Sequence, residues 1–161
     1  MLKAERRAEV EWQGDLIHGK GTIVSVGSGA LGNLPVTWAS RTERSDGKTS
    51  PEELLAAAHA SCFAMAFSNG LAQAGTTAER LHVNATCTFE QVEGGFKVST
   101  MVLDVRGKVP GLDQAGFEKA AQAAGQGCPV SNALRSNVAI TVNAHLENSN
   151  CNKCEEGAWG L

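Results

Sequence analysis

The sequence predicts an α+β fold, and three observations carry that expectation. Runs of β-branched and alternating residues cluster at 8–40 and again at 81–108. One long stretch from residue 51 to the mid-70s is built mainly of Ala, Leu and Met, all good helix formers. The strands and helices come in blocks rather than in strict alternation, which separates the chain from the doubly wound α/β class. At 161 residues the expectation is one domain over 1–147, followed by a Cys-containing tail over 148–161.

The elements follow in order. AEVEW (8–12) alternates, GTIVSV (21–26) is β-branched and LPVTW (34–38) is short and apolar, with glycines 14, 19, 27, 29 and 32 as turns between them. The stretch RTERSDGKTS (41–50) is polar and contains Asp46-Gly47, so it reads as an exposed loop. Ser50-Pro51-Glu52-Glu53 is a dense helix start: Ser50 caps, Pro51 fits the first helical position and Glu53 completes a capping box. The helix then runs to a stop near Gly75. It is apolar on nearly all sides, which predicts a central element covered on most faces. Strands over 81–92 and 96–109 form a hairpin about Gly94-Gly95, with Leu81, Val83, Ala85, Cys87 and Phe89 on one face. Pro110-Gly111 ends it. A second helix is expected over about 112–124, broken at Gly125-Gln126-Gly127. Cys128-Pro129 opens a short helix, and 138–147 is a last strand. So few strands cannot cover the long helix within one chain, which favours an intertwined dimer.

Charge and composition narrow the function. Lys and Arg total 14 against 17 Asp and Glu, a net charge of −3, which argues against a general nucleic-acid binder. No apolar run is read as reaching the roughly 18 residues of a membrane span, and the charged N-terminus does not read as a secretory signal. A cytoplasmic setting is expected, where unpaired thiols are either packed or reactive.

The five cysteines therefore carry the chemistry. Cys62, mid-helix, is by itself an inert buried thiol unless a cation makes it a thiolate; Arg41, in the preceding loop, is the candidate. Cys128 precedes Pro129 at a helix start, where backbone N–H groups favour the anion. Spacing does not say whether these two meet. Cys87 lies on the apolar strand face and reads as packed. Cys151 and Cys154 form a single CxxC, short of the four ligands of a structural zinc site. His59, three residues before Cys62, admits a Cys–His acyl hydrolase, though a packed histidine is the simpler reading. Glu52 complements the helix dipole. It lies ten residues before Cys62, roughly 15 Å along a helix, so if both serve one site Glu52 comes from a partner chain. A dimer whose cavity binds a hydrophobic ligand without catalysis also fits.

TSPEELLAAAHASCFAMAFS (49–68), with GCPVSNAL (127–134) carrying a cysteine 66 positions after the first, resembles the OsmC/Ohr family of thiol-dependent hydroperoxide reductases. The resemblance extends over roughly 8–147, and LPVTWASRTE is similar to the OsmC branch. It implies an intertwined homodimer with two long central helices wrapped by antiparallel-rich sheets from both chains. It implies Cys62 as the peroxidatic thiol, Cys128 as the resolving thiol, Arg41 holding Cys62 as thiolate, and Glu52 positioning Arg41. The implied substrate is an organic hydroperoxide, with hydrogen peroxide used less efficiently, and a dithiol such as a lipoyl protein restores the thiols. Phe63, Phe67 and Trp38 are candidates to line a pocket for the substrate's organic part, the sequence leaving open which of them do, and no metal, haem or flavin is implied.

Overall fold

The computed structural model describes residues 1–147, and by internal contacts it divides into two units, Met1–Leu55 and a second beginning at Ala56. In the first unit, β1 (Ala8–Gln13), β2 (Lys20–Val26) and β3 (Gly32–Val36) form an antiparallel sheet in that order. Gly21 sits opposite Val36 because a Cβ there would fall 2.7 Å from the Trp12 ring and 2.9 Å from Val36. The polar stretch after β3 is not all loop. Trp38–Thr42 is a short helix, α1, which corrects the reading of Trp38 as strand and of Arg41 and Thr42 as loop. Its cause is local: the Thr37 hydroxyl accepts from the Ser40 N–H and the Ser40 hydroxyl accepts from the Thr37 N–H, both at 3.0 Å. This is a capping box with serine in the usual Glu/Gln position, and one turn of helix is too short to show a 3.6-residue period.

The long helix α2 (Pro51–Gln73) starts and stops where its residues predict, but Ser50 supplies only half of the expected capping box and the Glu53 carboxylate turns to Thr49 instead. The Ser50 hydroxyl accepts from the Glu53 N–H at 3.2 Å, while the Glu53 carboxylate takes the Thr49 hydroxyl at 2.9 Å. At the other end Gly75 adopts φ +79°, and the N–H groups of Gly75 and Thr76 donate to the Ala72 and Leu71 carbonyls. This is a Schellman close, which needs the left-handed residue glycine allows. No Asp, Glu, Lys or Arg lies between Glu53 and Glu79. An 18-residue window of α2 reaches mean hydropathy 1.3, long and apolar enough to cross a membrane by composition, contrary to the sequence expectation. Core helices of water-soluble proteins meet the same description.

In the second unit, β4 (Arg80–Val92), β5 (Gly95–Lys108) and β6 (Ala139–Leu146) form a sheet in the order β4-β5-β6. β4 and β5 are the expected hairpin, closed at Val92 and Gly95. β6 lies parallel to β5, so the chain must cross over between them. The crossover carries α3 (Gln114–Gly127) and α4 (Pro129–Leu134). The Asp113 carboxylate caps α3 by accepting from the Gly116 N–H at 2.8 Å. α3 does not break at 125–127 as expected. A Cβ on Gly125 would stand 3.3 Å from Val142 and 3.8 Å from the Phe63 ring, so this glycine permits a close approach rather than interrupting the helix.

Alternation along β5 turns Met101, Leu103 and Val105 to the buried side. Against that sheet face the core gathers Phe63, Phe67 and Leu71, spaced i, i+4, i+8 on α2, with Phe117, Ala121 and Ala124 on α3. The Phe67 ring lies 5.7 Å from Phe63 and 5.1 Å from Phe117, tilted against both. Phe63 and Phe67 are fully buried in this core and do not line an open pocket, a correction to the sequence expectation. The Phe117 ring seats over Gly107, where an added Cβ would fall 2.6 Å from it. We expect Gly107→Ala to destabilise the protein by about 1–3 kcal/mol through overpacking, measured as a lowered midpoint in chemical unfolding.

Candidate functional site

Two thiols far apart in sequence meet in the second unit. The Cys62 and Cys128 sulfurs are 3.3 Å apart, with Cys128 as donor, and both cysteines are free. Cys62 comes from the middle of α2. Cys128 sits at the junction of α3 and α4, where Pro129 excludes the helical conformation from the residue before it. Cys128 accordingly has φ −67° and ψ 121°, yet its N–H still reaches the Ala124 carbonyl at 2.8 Å. The kink leaves Cys128 on the same face of α3 as Phe117, Ala121 and Ala124, and it is 0% exposed. Cys62 is only half-buried.

His59, one turn before Phe63 on α2, is fully buried and does not pair with Cys62. Its Nε2 lies 2.7 Å from the Ser131 hydroxyl, and its Nδ1 has no partner among the described residues. This geometry weighs against the Cys–His hydrolase reading. Ser131, which sequence reasoning did not single out, is the histidine's partner and stands three positions after Cys128 on α4; its signal was a hydroxyl three positions after a cysteine at a helix start.

The two sulfurs differ in acidity. Burial pushes the Cys62 thiol up, and the neighbouring Cys128 adds to the rise, while the Val130 N–H works the other way. Burial also opposes ionisation of Cys128. There it is outweighed by the Ser131 N–H, the Ser131 hydroxyl, the Cys62 thiol and the Val130 N–H, so the Cys128 thiol lies below its ordinary value. Its side chain closes no regular cap hydrogen bond and α4 is six residues long, so individual donors rather than a helix dipole are what favour the anion.

In the first unit Arg41 and Glu52 are joined. Arg41 Nη2 and Nε donate to Glu52 Oε1 at 2.7 and 2.9 Å, and Glu52 is 8% exposed. The guanidinium carbon also lies 5.9 Å from the centre of the Trp38 ring. The last turn of α1 presents Arg41 and the first turn of α2 presents Glu52, so the ion pair ties the end of one helix to the start of the next. Cys87 is half-buried on β4. Among the described residues no group of three or more His, Cys, Asp and Glu is placed to hold a metal. Cys151, Cys154 and the rest of the tail lie outside the described residues.

Two titrations follow. The Cys62–Cys128 pair should release one proton below the ordinary thiol range and a second above it, read by thiolate absorbance, and replacing either cysteine by serine should collapse the two steps into one. Burial lowers His59 from its ordinary 6.5. The unfolded chain then takes up a proton that the folded chain refuses, so stability present above about pH 6.5 is lost as pH falls toward the folded value. Unfolding midpoints should drop more between neutral and acidic pH in wild type than in His59→Gln.

A family profile described as "OsmC-like protein" matches residues 44–143. "Peroxiredoxin OsmC" of Escherichia coli (strain K12) is 38% identical over 139 residues, covering 86% of this chain and 96% of the relative. "Organic hydroperoxide resistance protein" of Xanthomonas axonopodis pv. citri (strain 306) is 35% identical over 95 residues, 58% of this chain and 65% of the relative. The crystal structure of organic hydroperoxide resistance protein OhrB of Bacillus subtilis shares the fold, with TM-score 0.68 and 24% identity over 86% of this chain and 98% of that one. An organic hydroperoxide resistance protein OsmC from Legionella pneumophila gives TM-score 0.68 and 26% identity over 88% and 98%.

Proposed function

We infer the function from one premise: this chain belongs to the OsmC-like protein family. Its relatives are named for peroxide reduction and for hydroperoxide resistance, and it is a peroxide-detoxifying enzyme of the same kind. The finer reading is a cysteine-based reductase that converts organic hydroperoxides to alcohols in the cytoplasm, and hydrogen peroxide less efficiently. The observation that carries it is the 3.3 Å contact between Cys62 and Cys128, close enough for a disulfide to form with little movement.

The Cys62 thiolate attacks the distal peroxide oxygen. The O–O bond breaks, the alkoxide leaves and takes a proton, and Cys62 becomes a sulfenic acid. The Cys128 sulfur then attacks the Cys62 sulfur. Hydroxide leaves and is protonated to water, and a Cys62–Cys128 disulfide remains. A dithiol, such as a lipoyl-bearing protein, restores both thiols by exchange. No metal or organic cofactor takes part.

Burial raises the Cys62 thiol, so its thiolate needs a cation. Arg41, oriented by Glu52, supplies it. On one continuous helix Glu52 and Cys62 are separated by roughly 15 Å of rise. The Arg41–Glu52 pair of one chain therefore serves Cys62 of a second copy, in a homodimer whose partner also covers the open faces of α2. A second reading exchanges the two cysteines, favoured by the greater acidity of Cys128. Exposure argues against it: Cys128 has no accessible surface, whereas Cys62 does.

Mass spectrometry after stoichiometric peroxide distinguishes these. Wild type should lose two hydrogens and gain no oxygen, with the bridge mapped to Cys62 and Cys128. Cys128→Ser should stop at a trappable Cys62 sulfenate, and Cys62→Ser should do neither. Oxidation of Cys128 at the wild-type rate in Cys62→Ser would reverse the roles. Arg41→Ala should slow peroxide reduction about 100- to 1,000-fold, the scale of losing one transition-state charge stabiliser, and should lower the unfolding midpoint as well, because it leaves the nearly buried Glu52 carboxylate unpaired.

A further inference from the structure

The reaction above leaves unused a buried pair next to the thiols. His59 Nε2 lies 2.7 Å from the Ser131 hydroxyl, both side chains are fully buried, and they come from different helices, α2 and α4. A buried imidazole and hydroxyl bonded only to each other would be an expensive way to fill space, since His59 Nδ1 is left without a partner. The cost is intelligible if the pair acts on its neighbour. Ser131 stands three residues after Cys128, on the helix that Cys128 opens, and both are fully buried; its hydroxyl is among the groups that favour the Cys128 anion, and Cys128 in turn donates to Cys62 at 3.3 Å.

The donors align in one direction. Burial keeps His59 neutral. With its proton on Nε2, the tautomer that leaves Nδ1 as an orphaned acceptor rather than an orphaned donor, His59 donates to the Ser131 oxygen. The Ser131 proton is then turned onto Cys128, and the Cys128 proton onto Cys62. Each link polarises the next. Arg135, at the end of α4, donates to the Gly125 carbonyl at 3.0 Å. The groups that act on Cys128 are thus Cys62 from α2, and the Ser131 hydroxyl with the Ser131 and Val130 N–H groups from α4.

We propose that Ser131 and His59 are positioning residues for the thiol pair: His59 fixes the Ser131 hydroxyl as a donor to Cys128, and this donor stabilises the negative charge that Cys128 carries when it attacks the Cys62 sulfenic acid. The proposal rests on the peroxide-reductase reading and adds the device that activates its second step. In that step the Cys128 proton leaves with the hydroxide released from Cys62 as water. The S–S bond forms, the Cys62 S–O bond breaks, and Ser131 keeps its own proton throughout. Neither Ser131 nor His59 changes oxidation state or net protonation, so no further reactant is needed. The same donor lowers the cost of expelling Cys128 as thiolate when the dithiol opens the disulfide.

The test reads Cys128 directly, in the reduced protein without peroxide. In a Cys62→Ser background, the pH dependence of iodoacetamide alkylation is followed at the Cys128 peptide by mass spectrometry. Ser131→Ala, which removes a single oxygen, should raise the midpoint by about one pH unit, the scale of one hydrogen bond to a charged group. His59→Leu should raise it less, and should add nothing once Ser131 is alanine, because His59 acts through Ser131. His59→Gln, which offers an amide N–H in place of Nε2–H, should restore the midpoint and covers the case in which His59→Leu does not fold. An unchanged midpoint in Ser131→Ala, or a His59 effect of full size in the Ser131→Ala protein, would overturn the proposal. In the Cys62-containing protein, Ser131→Ala should leave Cys62 sulfenate formation near the wild-type rate and slow disulfide closure about tenfold. Failure of wild type to oxidise Cys62 would instead strike the peroxide reading, with the alkylation midpoints still deciding the role of Ser131.

Discussion

The distance between two sulfurs is the constraint on which the second unit is organised. To hold Cys62 and Cys128 at 3.3 Å, α2 and α3 must approach closely. Gly125 lets α3 pack closely on β6, its missing Cβ leaving room for Val142, with the Phe63 ring in ordinary contact beside it. Pro129 then ends the helical path at the one point where the thiol must face inward. The tilted, contacting rings of Phe63, Phe67 and Phe117 carry the packing that makes this approach stable; truncating such a buried ring costs about 3–5 kcal/mol. Packing around the site and geometry within it are therefore the same set of contacts.

Electrostatics sets the second constraint. Two thiols in van der Waals contact in a buried setting do not both ionise easily, so the pair holds one anion and the surroundings decide where it rests. Within the second unit the donors of α4 favour Cys128, and burial disfavours Cys62. A guanidinium brought to Cys62 reverses the balance. On the proposed reading this division is useful. A cation arriving with the partner chain makes Cys62 the attacking sulfur, and the built-in donors prepare Cys128 for the step that follows.

The first unit keeps its charge ready in a different way. Arg41 has two donors on one oxygen of a nearly buried carboxylate, and its guanidinium lies beside Trp38. A guanidinium so held loses little further freedom when it engages a third group. α2 complements this arrangement. Only 22% of its most apolar window is buried within the chain, and Met65 is 67% exposed. A helix of this composition does not remain open to water without cost, which is why the proposed second copy answers an energetic need as well as a catalytic one.

Local chemistry in the sequence determined a good deal. The three opening strands, the start of α2 at Ser50-Pro51, its glycine stop, the hairpin over 80–108 and the last strand are all legible because alternation, capping and turn residues act over a few neighbours. The two cysteine motifs also marked the thiols on which the proposed reading rests. Three features were out of reach. α1 is a single turn whose Thr37–Ser40 cap competes with a strand-like LPVTW. The run of α3 through 125–127 depends on Val142 and Phe63, residues far away in sequence that turn an apparent helix breaker into a packing site. The pairing of His59 with Ser131 joins positions 72 apart, and neither residue type announces it. Periodicity and caps are properties of a segment, but a hydrogen bond or a sulfur contact across helices exists only once packing has chosen which faces meet, and that choice belonged to the tertiary structure alone.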